Sequence, residues 1–518
     1  MEPGDKPRNA PDTQHEGIMS DYSIFIGLLA LYIGSLIGIG LYYNKKQKTS
    51  VDFFLAGREL NALSIGFSAA ASWLTAGALL AVTGFFMLLG MGSVWGFVAP
   101  NIIALVVIAL LVKKLKRLPA ITQPELLEMR YGDSLRGPVA IIITIVMILF
   151  AVSDIKGFSL VLEIFYGLDS LYSVLIVGAA VALYVNLGGF SAVVFTDRIQ
   201  FTLLFLFVMA MAVMTTGAAT DADAALSFSK MVGEVPGSWY NPFSVGLPMV
   251  LIFTLSIVPG WITEQDPWQK VWAAKDDKAA QTGMIIGAVL VTLVFGGCAV
   301  IAIALNRLYP EIAAAGFPAG MAKAEPALLV FITESGFSKF GLALCAIGLA
   351  TAAMSCADTF ATSGASCISR DIYQRYINPD ADEKSIMSIN RLSVLFIIGA
   401  ATLCSYFIHN IIEAIHIATF IASASYFFPL MGGLFWKRAT RKGAVAGLVC
   451  GATAQIALVA MDLIKTPPMA PGYLESLSPL LSGHGVIAGM LISGIAFVAG
   501  SYMDKPVDQK RLDLFFTS

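Results

Sequence analysis

The residues best suited to chemistry are carboxylates in otherwise apolar stretches. Asp358 lies near the middle of one such stretch, with Ser355 three residues before it and Thr359 directly after it. Positions i, i+3 and i+4 share one face of a helix, so these oxygen-bearing side chains would point the same way. An ionisable residue at the centre of a membrane span costs roughly 2.5–3.5 kcal/mol, which makes it a functional hypothesis. A hard cation such as Na⁺ takes about five or six oxygen ligands, and this face, completed by Asp197 in another span, would supply several.

A second set of polar residues follows the Pro-Gly pair at residues 259–260. Glu264 and Asp266 come soon after it, so they lie either at the lower end of a central cavity or in its mouth. In a cavity, two unpaired carboxylates would repel an anion and favour a cationic or nitrogenous solute, such as an amine, a choline-like molecule or urea. Lys270 and Lys275 are alternative partners that would neutralise them instead.

The composition excludes several classes of function. Residues AVILMFWYC make up 57% of the 518-residue chain and charged residues 13%, whereas soluble domains have roughly 45–50% apolar residues and about 25% charged ones. A net charge of -2 without a basic stripe argues against a nucleic-acid partner. The six cysteines form no CxxC pair and the four histidines no cluster, so neither disulfides nor a zinc site are expected. No nucleophile with its base is evident, so we do not expect an enzyme, and no obligate protein partner is evident.

Apolar helices must hold these residues in the membrane. A bilayer core about 30 Å thick takes about 20 apolar residues per helix, and the chain is therefore predicted to be an all-α membrane protein. Thirteen transmembrane helices are predicted, over residues 22–43, 62–88, 94–112, 137–156, 169–188, 197–217, 246–268, 281–305, 339–367, 390–409, 411–434, 443–464 and 484–503.

Basic residues cluster on one side of the predicted membrane. They are concentrated at 45–48, 113–117 and 437–442, which the span count places on the same side. Since basic loops stay in the cytoplasm, we expect a plasma (inner) membrane protein with its N-terminus outside and its C-terminus in the cytoplasm.

Two predicted spans carry interruptions at mid-depth. Residues 66–77 are rich in small and polar side chains, and residues 256–267 combine a Pro-Gly pair with carboxylates. Irregular backbone at membrane depth is tolerated only where it is buried or lines a cavity. The two spans are five apart, an odd offset that inverts topology, so two inverted five-helix repeats are predicted, each starting with a discontinuous helix, as in transporters that bind at the bilayer midplane. Close helix packing through small residues is the alternative for the first interruption.

This pattern divides the chain into five segments. They are a disordered leader or artificial extension over 1–18, an additional N-terminal transmembrane helix over 19–45, the first repeat over 46–245, the second repeat over 246–435, and two C-terminal transmembrane helices with a cytoplasmic tail over 436–518. The tryptophans near the interruptions either stack on a solute or pack in the core. The solute-binding candidates lie at the two interruptions: Ser72, Trp73, Thr75, Trp261, Thr263, Glu264 and Asp266.

Four stretches of the chain resemble one known family. They are residues 186–200 (NLGGFSAVVFTDRIQ), 53–58 (FFLAGR), 269–275 (QKVWAAK) and the pair 354–358 and 369–373 (MSCAD and SRDIY). Their order and spacing are similar to the sodium:solute symporter family, which contains sodium-coupled glucose, proline, pantothenate and sialic acid carriers. The resemblance implies a LeuT-like fold and Na⁺ as the coupling ion.

The resemblance also implies two ion sites. The shared sodium site would use the backbone carbonyls of Ala71, Leu74 and Ala352 with the side chains of Ser355 and Cys356. A second site, present in some members, would map to Asp197, Ser355, Asp358 and Thr359.

The chain departs from the family pattern at several of these positions. Relatives usually have Ser or Thr where Cys356 stands, and a thiol is a poor sodium ligand. Asp358 replaces a hydroxyl residue, so it either strengthens cation binding or carries a proton. Trp73 stands where proline carriers have an aspartate, and Glu264 and Asp266 replace residues of sugar carriers. Neither proline nor a sugar is therefore expected as the solute.

We predict a secondary active symporter in which Na⁺ influx drives uptake of a small polar organic solute by alternating access. The nearest alternative is a proton-coupled transporter with Asp358 or Glu264 as the proton carrier. A solute-sensing membrane receptor is an alternative of another class, but it would need a cytoplasmic output domain, and only residues 504–518 follow the last span.

Overall fold

The computed structural model describes residues 12–46, 49–185, 189–221, 228–317, 319–408, 411–465, 479–505 and 507–516. These ranges are almost entirely helical, and within them the only β-type contact is a bridge between Leu60 and Ala274. Residues 1–11 of the predicted leader and residues 186–188 of one family-like stretch lie outside the described ranges.

The helices alternate between long apolar elements and short connectors. In the first half they are α1 (Asp12–Lys46), α2 (Ser50–Leu55), α3 (Ala62–Trp73), α4 (Ala76–Leu89), α5 (Val98–Lys116), α6 (Gln123–Tyr131), α7 (Arg136–Tyr166), α8 (Ser170–Val185), α9 (Gly189–Asp221) and α10 (Phe228–Glu234). In the second half they are α11 (Leu247–Ile262), α12 (Gln265–Ala273), α13 (Asp277–Leu308), α14 (Pro310–Ala315), α15 (Met321–Ala324), α16 (Ala327–Glu334), α17 (Lys339–Ser366), α18 (Glu383–Phe407), α19 (Ile411–Ser425), α20 (Phe427–Phe435), α21 (Arg441–Lys465), α22 (Pro479–Tyr502) and α23 (Gln509–Phe516). Short 3₁₀ turns cover Ala56–Arg58, Gly90–Gly96, Asp133–Leu135 and Gly237–Tyr240, and a π-helix, Cys367–Ile377, continues α17.

Many of these helices have the length and composition of membrane spans. Within the described residues, seven helical runs are long and apolar enough to cross a bilayer, or up to nine if each bent pair counts as one span. Three shorter apolar helices, Ala62–Trp73, Ser170–Val185 and Val486–Tyr502, add to these. The chain is therefore an all-α integral membrane protein, and the number thirteen stays a prediction.

Both predicted interruptions are present as breaks between helices. Leu74 separates α3 from α4 with φ -108° and ψ 66°, outside the helical region. Thr263 and Glu264 separate α11 from α12, and these two helices are bent by 43° relative to each other. The cause of the second break lies in the sequence, because Pro267 in the first turn of α12 has no backbone N–H to donate to the Thr263 carbonyl oxygen, which accepts from the Tyr426 hydroxyl at 2.8 Å instead.

The packing of the helices follows the predicted repeat. The five-span offset makes α3 and α4 equivalent to α11 and α12. In the same order, α5, α7, α8 and α9 are equivalent to α13, α17, α18 and α19. Helix α3 packs against α13 and α9, and its counterpart α11 packs against α5 and α19. Helix α17 packs against α9, and its counterpart α7 packs against α19. Contacts thus recur when the two halves are exchanged, as expected of two copies of one five-helix unit.

Helix α7 is longer than the sequence predicted. The predicted span ended at residue 156, near the charged residues Asp154 and Lys156, but the helix continues to Tyr166. Lys156 is accommodated because its ammonium lies 3.7 Å from a Glu163 carboxylate oxygen two turns later. These charged residues are therefore inside a long helix rather than at its end.

Candidate functional site

The break between α3 and α4 is capped on one side only. Thr75 starts α4 by accepting a hydrogen bond from the Ala78 N–H at 2.7 Å, which satisfies one of the free N–H groups of that helix. The last carbonyls of α3 have no following helical turn to bond with. The end of α3 therefore offers carbonyl oxygens to whatever packs against it.

Helix α17 meets these carbonyls at the expected shared sodium site. The Ala71 carbonyl oxygen lies 3.2 Å from Ser355 Oγ and accepts a hydrogen bond from Cys356 Sγ at 2.9 Å. Ser355 Oγ is also 3.0 Å from the Ala352 carbonyl oxygen. All of these residues are buried, and Leu74 forms the break beside them. Carbonyl and hydroxyl oxygens are hard donors that suit Na⁺, whereas the thiol is a soft one.

The second expected set lies where α9 and α17 pack against α3. The Ser68 hydroxyl donates a hydrogen bond to Asp197 Oδ2, and Thr359 Oγ1 lies 3.2 Å from the Ser72 hydroxyl oxygen. Asp358 is close enough to Asp197 for the two charges to interact. Neither carboxylate oxygen of Asp358 has a hydrogen-bond partner among the described residues. Two buried carboxyl groups therefore lie close together in this part of the core.

A buried ammonium group lies beside this second set. Lys270 forms an ion pair with Asp266 one turn earlier in α12, with 2.7 Å between Nζ and Oδ2 and both side chains 0% exposed. The same ammonium donates to the Ser68 carbonyl oxygen at 3.1 Å and to the Ser72 hydroxyl. Because Ser68 also donates to Asp197, one serine connects the lysine to the second set. Lys270, one of the two alternative partners considered from the sequence, thus neutralises Asp266.

Glu264 differs from Asp266 in having no hydrogen-bond partner in the part of the chain that the structure describes. Its side chain is 0% exposed, and neither carboxylate oxygen accepts a hydrogen bond from the described residues. Lys270 acts on it only electrostatically, and the Trp73 indole lies nearby. Lys275, the other alternative partner, is exposed just beyond α12. The second break therefore presents one unpaired carboxylate rather than two.

Aromatic rings fill the space between the two breaks. Trp261 lies at their centre, 4.9 Å from Trp73, 5.1 Å from Phe150 and 5.8 Å from Phe97 between ring centroids. Phe150 also stacks on Phe360 at 5.0 Å. We call these five residues the aromatic cluster. Trp73 and Trp261, two of the tryptophans that the sequence offered for either solute stacking or packing, are packed against each other here.

The remaining solute-binding candidates are hydroxyl residues at the breaks. Ser72 contacts Lys270, and Thr75 caps α4. Thr263 donates to the Pro259 carbonyl oxygen at 2.9 Å, and its own carbonyl accepts from Tyr426 at 2.8 Å. The structure thus places all three at the breaks, with their hydrogen bonds made within the protein.

Two polar residues at the core were missed by sequence reasoning. Tyr184, on α8, donates a hydrogen bond to the Met354 carbonyl oxygen on α17. Asp154, on α7, is 0% exposed and has no hydrogen-bond partner among the described residues. The predicted span ended at residue 156, two residues after Asp154, and the apolar residues that continue to Tyr166 were the signal that the helix extends further.

An ion-pair network closes one side of the core, which we call the α6 side. Asp371, in the π-helix, lies 2.7 Å from Arg136 Nε and accepts a hydrogen bond from the Thr122 hydroxyl at 2.9 Å. Arg375 contacts Glu128 at 2.7 Å, and Arg136 contacts the same carboxylate. These contacts tie α6 and α7 to the end of α17.

Both ends of the central region are covered. On the α6 side every residue of α12 is buried, and the Gln269 side chain donates to the Phe54 carbonyl oxygen at 2.7 Å. On the opposite side, the Trp239 indole donates to the Phe86 carbonyl oxygen at 3.1 Å. The buried carboxylates and the aromatic cluster are therefore enclosed from both sides in this conformation.

Comparisons with known proteins agree with this arrangement. The model of the "Sodium:solute symporter family" matches residues 53–451. A sodium/glucose cotransporter of Vibrio parahaemolyticus is 28% identical over 494 residues, covering 88% of this chain and 87% of that protein. The osmoregulated proline transporter OpuE of Bacillus subtilis is 26% identical over 487 residues, covering 90% and 94%.

A solved structure shows the same fold. It is a substrate-bound, outward-open Na⁺-coupled sialic acid symporter, with a TM-score of 0.74 and 19% sequence identity, covering 94% of this chain and 99% of that one. The fold of the present chain is therefore LeuT-like.

Proposed function

The chain belongs to the sodium:solute symporter family and is a Na⁺-coupled solute symporter rather than an enzyme, and on that premise we propose where its ions bind. One Na⁺ binds between α3 and α17, held by the carbonyl oxygens of Ala71, Leu74 and Ala352 and the hydroxyl of Ser355. Cys356 completes this site as a weaker ligand. The transported solute is a small polar organic molecule.

The observation that carries this proposal is the meeting of α3 and α17 at the helix break. Two side chains of α17 converge on the Ala71 carbonyl oxygen, which the break leaves without a following helical turn. A bound Na⁺ would join the two helices more tightly than these hydrogen bonds do. Because α3 and α17 belong to opposite repeats, this bond favours one arrangement of the repeats over the other. That difference in affinity couples the ion gradient to alternating access.

We propose that the negative charge of the second set of residues is balanced by a lysine rather than by a second Na⁺. The Lys270 ammonium, which is already a fixed cation, donates to Ser68 and Ser72, and these two serines hydrogen-bond to Asp197 and Thr359 of the second set. We infer that Lys270 takes the electrostatic role that a second Na⁺ would have there. Transport by the wild-type protein would then depend hyperbolically on the Na⁺ concentration.

Proton coupling is the second candidate, and one observation favours it. Asp358 and Glu264 are both fully buried carboxylates without hydrogen-bond partners among the described residues. Such a group is stabilised either by a cation or by a proton. In this version, a proton on either residue would replace Na⁺ as the coupling ion.

The α6 side is proposed to face the cytoplasm. Lys113, Lys114 and Lys116 end α5 on this side, directly before α6. Basic residues at helix ends stay in the cytoplasm, which supports a plasma-membrane protein with its N-terminus outside. The ion-pair network of Asp371 and Arg136 would then belong to the inner gate.

Equilibrium binding of radiolabelled Na⁺ to the purified full-length protein tests this function without knowledge of the solute. We expect binding that excess unlabelled Na⁺ competes away and K⁺ does not, and that Ser355→Ala weakens. Ser366→Ala is the matched control, because Ser366 is buried in the same helix and its hydroxyl donates to the Ser363 carbonyl oxygen one turn earlier at 2.6 Å.

Two outcomes would count against the sodium sites. If Na⁺ and K⁺ compete equally and only a change of pH alters stability, the proton-coupled alternative is correct. If Ser355→Ala and Ser366→Ala weaken Na⁺ binding equally, the ion does not bind between α3 and α17.

A further inference from the structure

Asp154 is a buried carboxylate that neither ion site uses. Its side chain is 0% exposed, and neither of its oxygens has a hydrogen-bond partner among the described residues. An ionised carboxylate in a membrane protein interior is stable only beside a positive charge or several donors. A protonated one would still need an acceptor for its proton. In either state the residue lacks a partner that a ligand would supply.

Close backbone contact fixes where Asp154 lies. A Cβ atom on Gly157 would be 2.5 Å from the Gly77 nitrogen, and a Cβ on Gly77 would be 2.7 Å from the Ser153 carbonyl oxygen. Helix α7 is therefore pressed against the first turn of α4. Asp154 accordingly faces the α3–α4 break, beside the Thr75 hydroxyl.

The aromatic cluster lies next to this carboxylate. Phe150 is one helical turn before Asp154 on α7, so the two side chains share a face. Phe150 stacks on Trp261, with 5.1 Å between centroids and 22° between planes. Glu264, the other unpaired buried carboxylate of this region, follows Trp261 by three residues at the break of α11 and α12. Two unpaired carboxylates thus border one group of aromatic rings.

Carboxylates together with aromatic faces are the components that recognise an organic ammonium group. We propose that Asp154 binds the ammonium group of an organic cation, and that this cation is the transported solute. The inference rests on the proposed function, because it assigns the solute of that same symporter. The rings touch one another in this closed conformation, so the ammonium group would enter when α7 and α11 separate.

The surroundings of Asp154 favour an ammonium group over the coupling Na⁺. Na⁺ takes about five or six oxygen ligands, but the groups placed beside Asp154 are the Thr75 hydroxyl, the Cys356 thiol of the proposed sodium site and the Phe150 ring one helical turn earlier, which together offer one oxygen. Aromatic faces attract a large, weakly hydrated cation and offer Na⁺ no oxygen. An anionic solute is disfavoured because it would meet two carboxylates.

The test compares solute binding with ion binding on the same purified full-length protein. Melting temperatures are measured in Na⁺ with methylammonium, ethanolamine, choline and tetramethylammonium, and with ethylene glycol and acetate as neutral and anionic controls. A ligand that binds the folded state raises the melting temperature. We expect at least one organic cation to stabilise the wild type and neither control to do so.

The variant Asp154→Asn then separates the outcomes. It is expected to weaken binding of the stabilising cation by roughly thirtyfold or more, while radiolabelled Na⁺ binding stays close to that of the wild type. Asp154→Glu keeps the charge and should retain cation binding, which guards against a variant that fails to fold.

The inference is overturned if no organic cation stabilises the wild type, or if the wild type and Asp154→Asn respond equally. It is also overturned if Asp154→Asn weakens Na⁺ binding as much as Ser355→Ala does, since the carboxylate would then be a sodium ligand. Failure of the wild type to bind Na⁺ would instead refute the proposed function.

Discussion

Replacing Cys356 by serine is expected to tighten Na⁺ binding. The Cys356 thiol is buried, and its sulfur lies 2.9 Å from the Ala71 carbonyl oxygen, a proposed ligand of the ion. Ser355 Oγ lies 3.2 Å from the same oxygen, so both side chains are at the position where the ion would bind. A hydroxyl oxygen is a harder donor than a thiol and suits Na⁺ better. The substitution also shortens the side chain only slightly, so the helix contact should persist.

The size of the expected gain in Na⁺ affinity follows from replacing one weak thiol contact with the ion by one ordinary polar contact. Such a contact contributes about 0.5–1.5 kcal/mol net, which corresponds to a roughly two- to twelvefold lower Na⁺ concentration at half-saturation. The assay is equilibrium binding of radiolabelled Na⁺ at fixed ionic strength. Because the expected result is a gain in affinity, partial misfolding cannot imitate it.

Cys345→Ser provides the matched control for this gain. Cys345 is another buried cysteine of α17, three turns before Cys356. The same chemical change there should leave Na⁺ affinity unaltered. Unchanged or weaker Na⁺ binding in Cys356→Ser would refute the assignment of this residue to the ion site, as would an equal gain in Cys345→Ser.

Other substitutions test the packing and charge around the site. Lys270→Met should destabilise the protein by about 3–5 kcal/mol, because it leaves the buried Asp266 carboxylate without its partner. Thermal unfolding in detergent should show that the double variant Asp266→Asn/Lys270→Met recovers stability. A single variant as stable as the wild type would contradict the ion pair. In that double variant the Na⁺ binding curve should become cooperative, since the second set loses its fixed cation, whereas an unchanged hyperbolic curve would remove Lys270 from the ion site. Gly157→Ala should cost about 1–3 kcal/mol of stability by overpacking, because the new Cβ would lie 2.5 Å from the Gly77 nitrogen. Gly217→Ala, where a Cβ meets nothing within 4 Å, is its control in thermal unfolding, and equal losses in the two alanine variants would disprove the close contact.

Local signals in the chain allowed much of the architecture to be predicted. Pro259 and Pro267 together predicted the second broken helix, because proline cannot donate the backbone hydrogen bond that a helix needs, and the break lies four residues before Pro267. The spacing of Ser355, Asp358 and Thr359 predicted their common face from helix geometry alone. Span boundaries were less predictable. The span predicted over 137–156 ended ten residues too early, because sequence does not show whether charged residues near the end of an apolar run, such as Asp154, have an enclosed environment.

The sequence by itself determined the class of the protein. A bilayer requires long apolar segments with internally satisfied backbones, and these leave a periodic composition that is visible without a structure. Only the tertiary structure decided which charges are neutralised. Lys270 reaches Ser68 and Ser72 across about 200 positions of sequence, whereas Asp154 and Glu264 are buried with no hydrogen-bond partner among the described residues. Contacts between distant segments depend on how the helices pack, and no local pattern of residues encodes that packing.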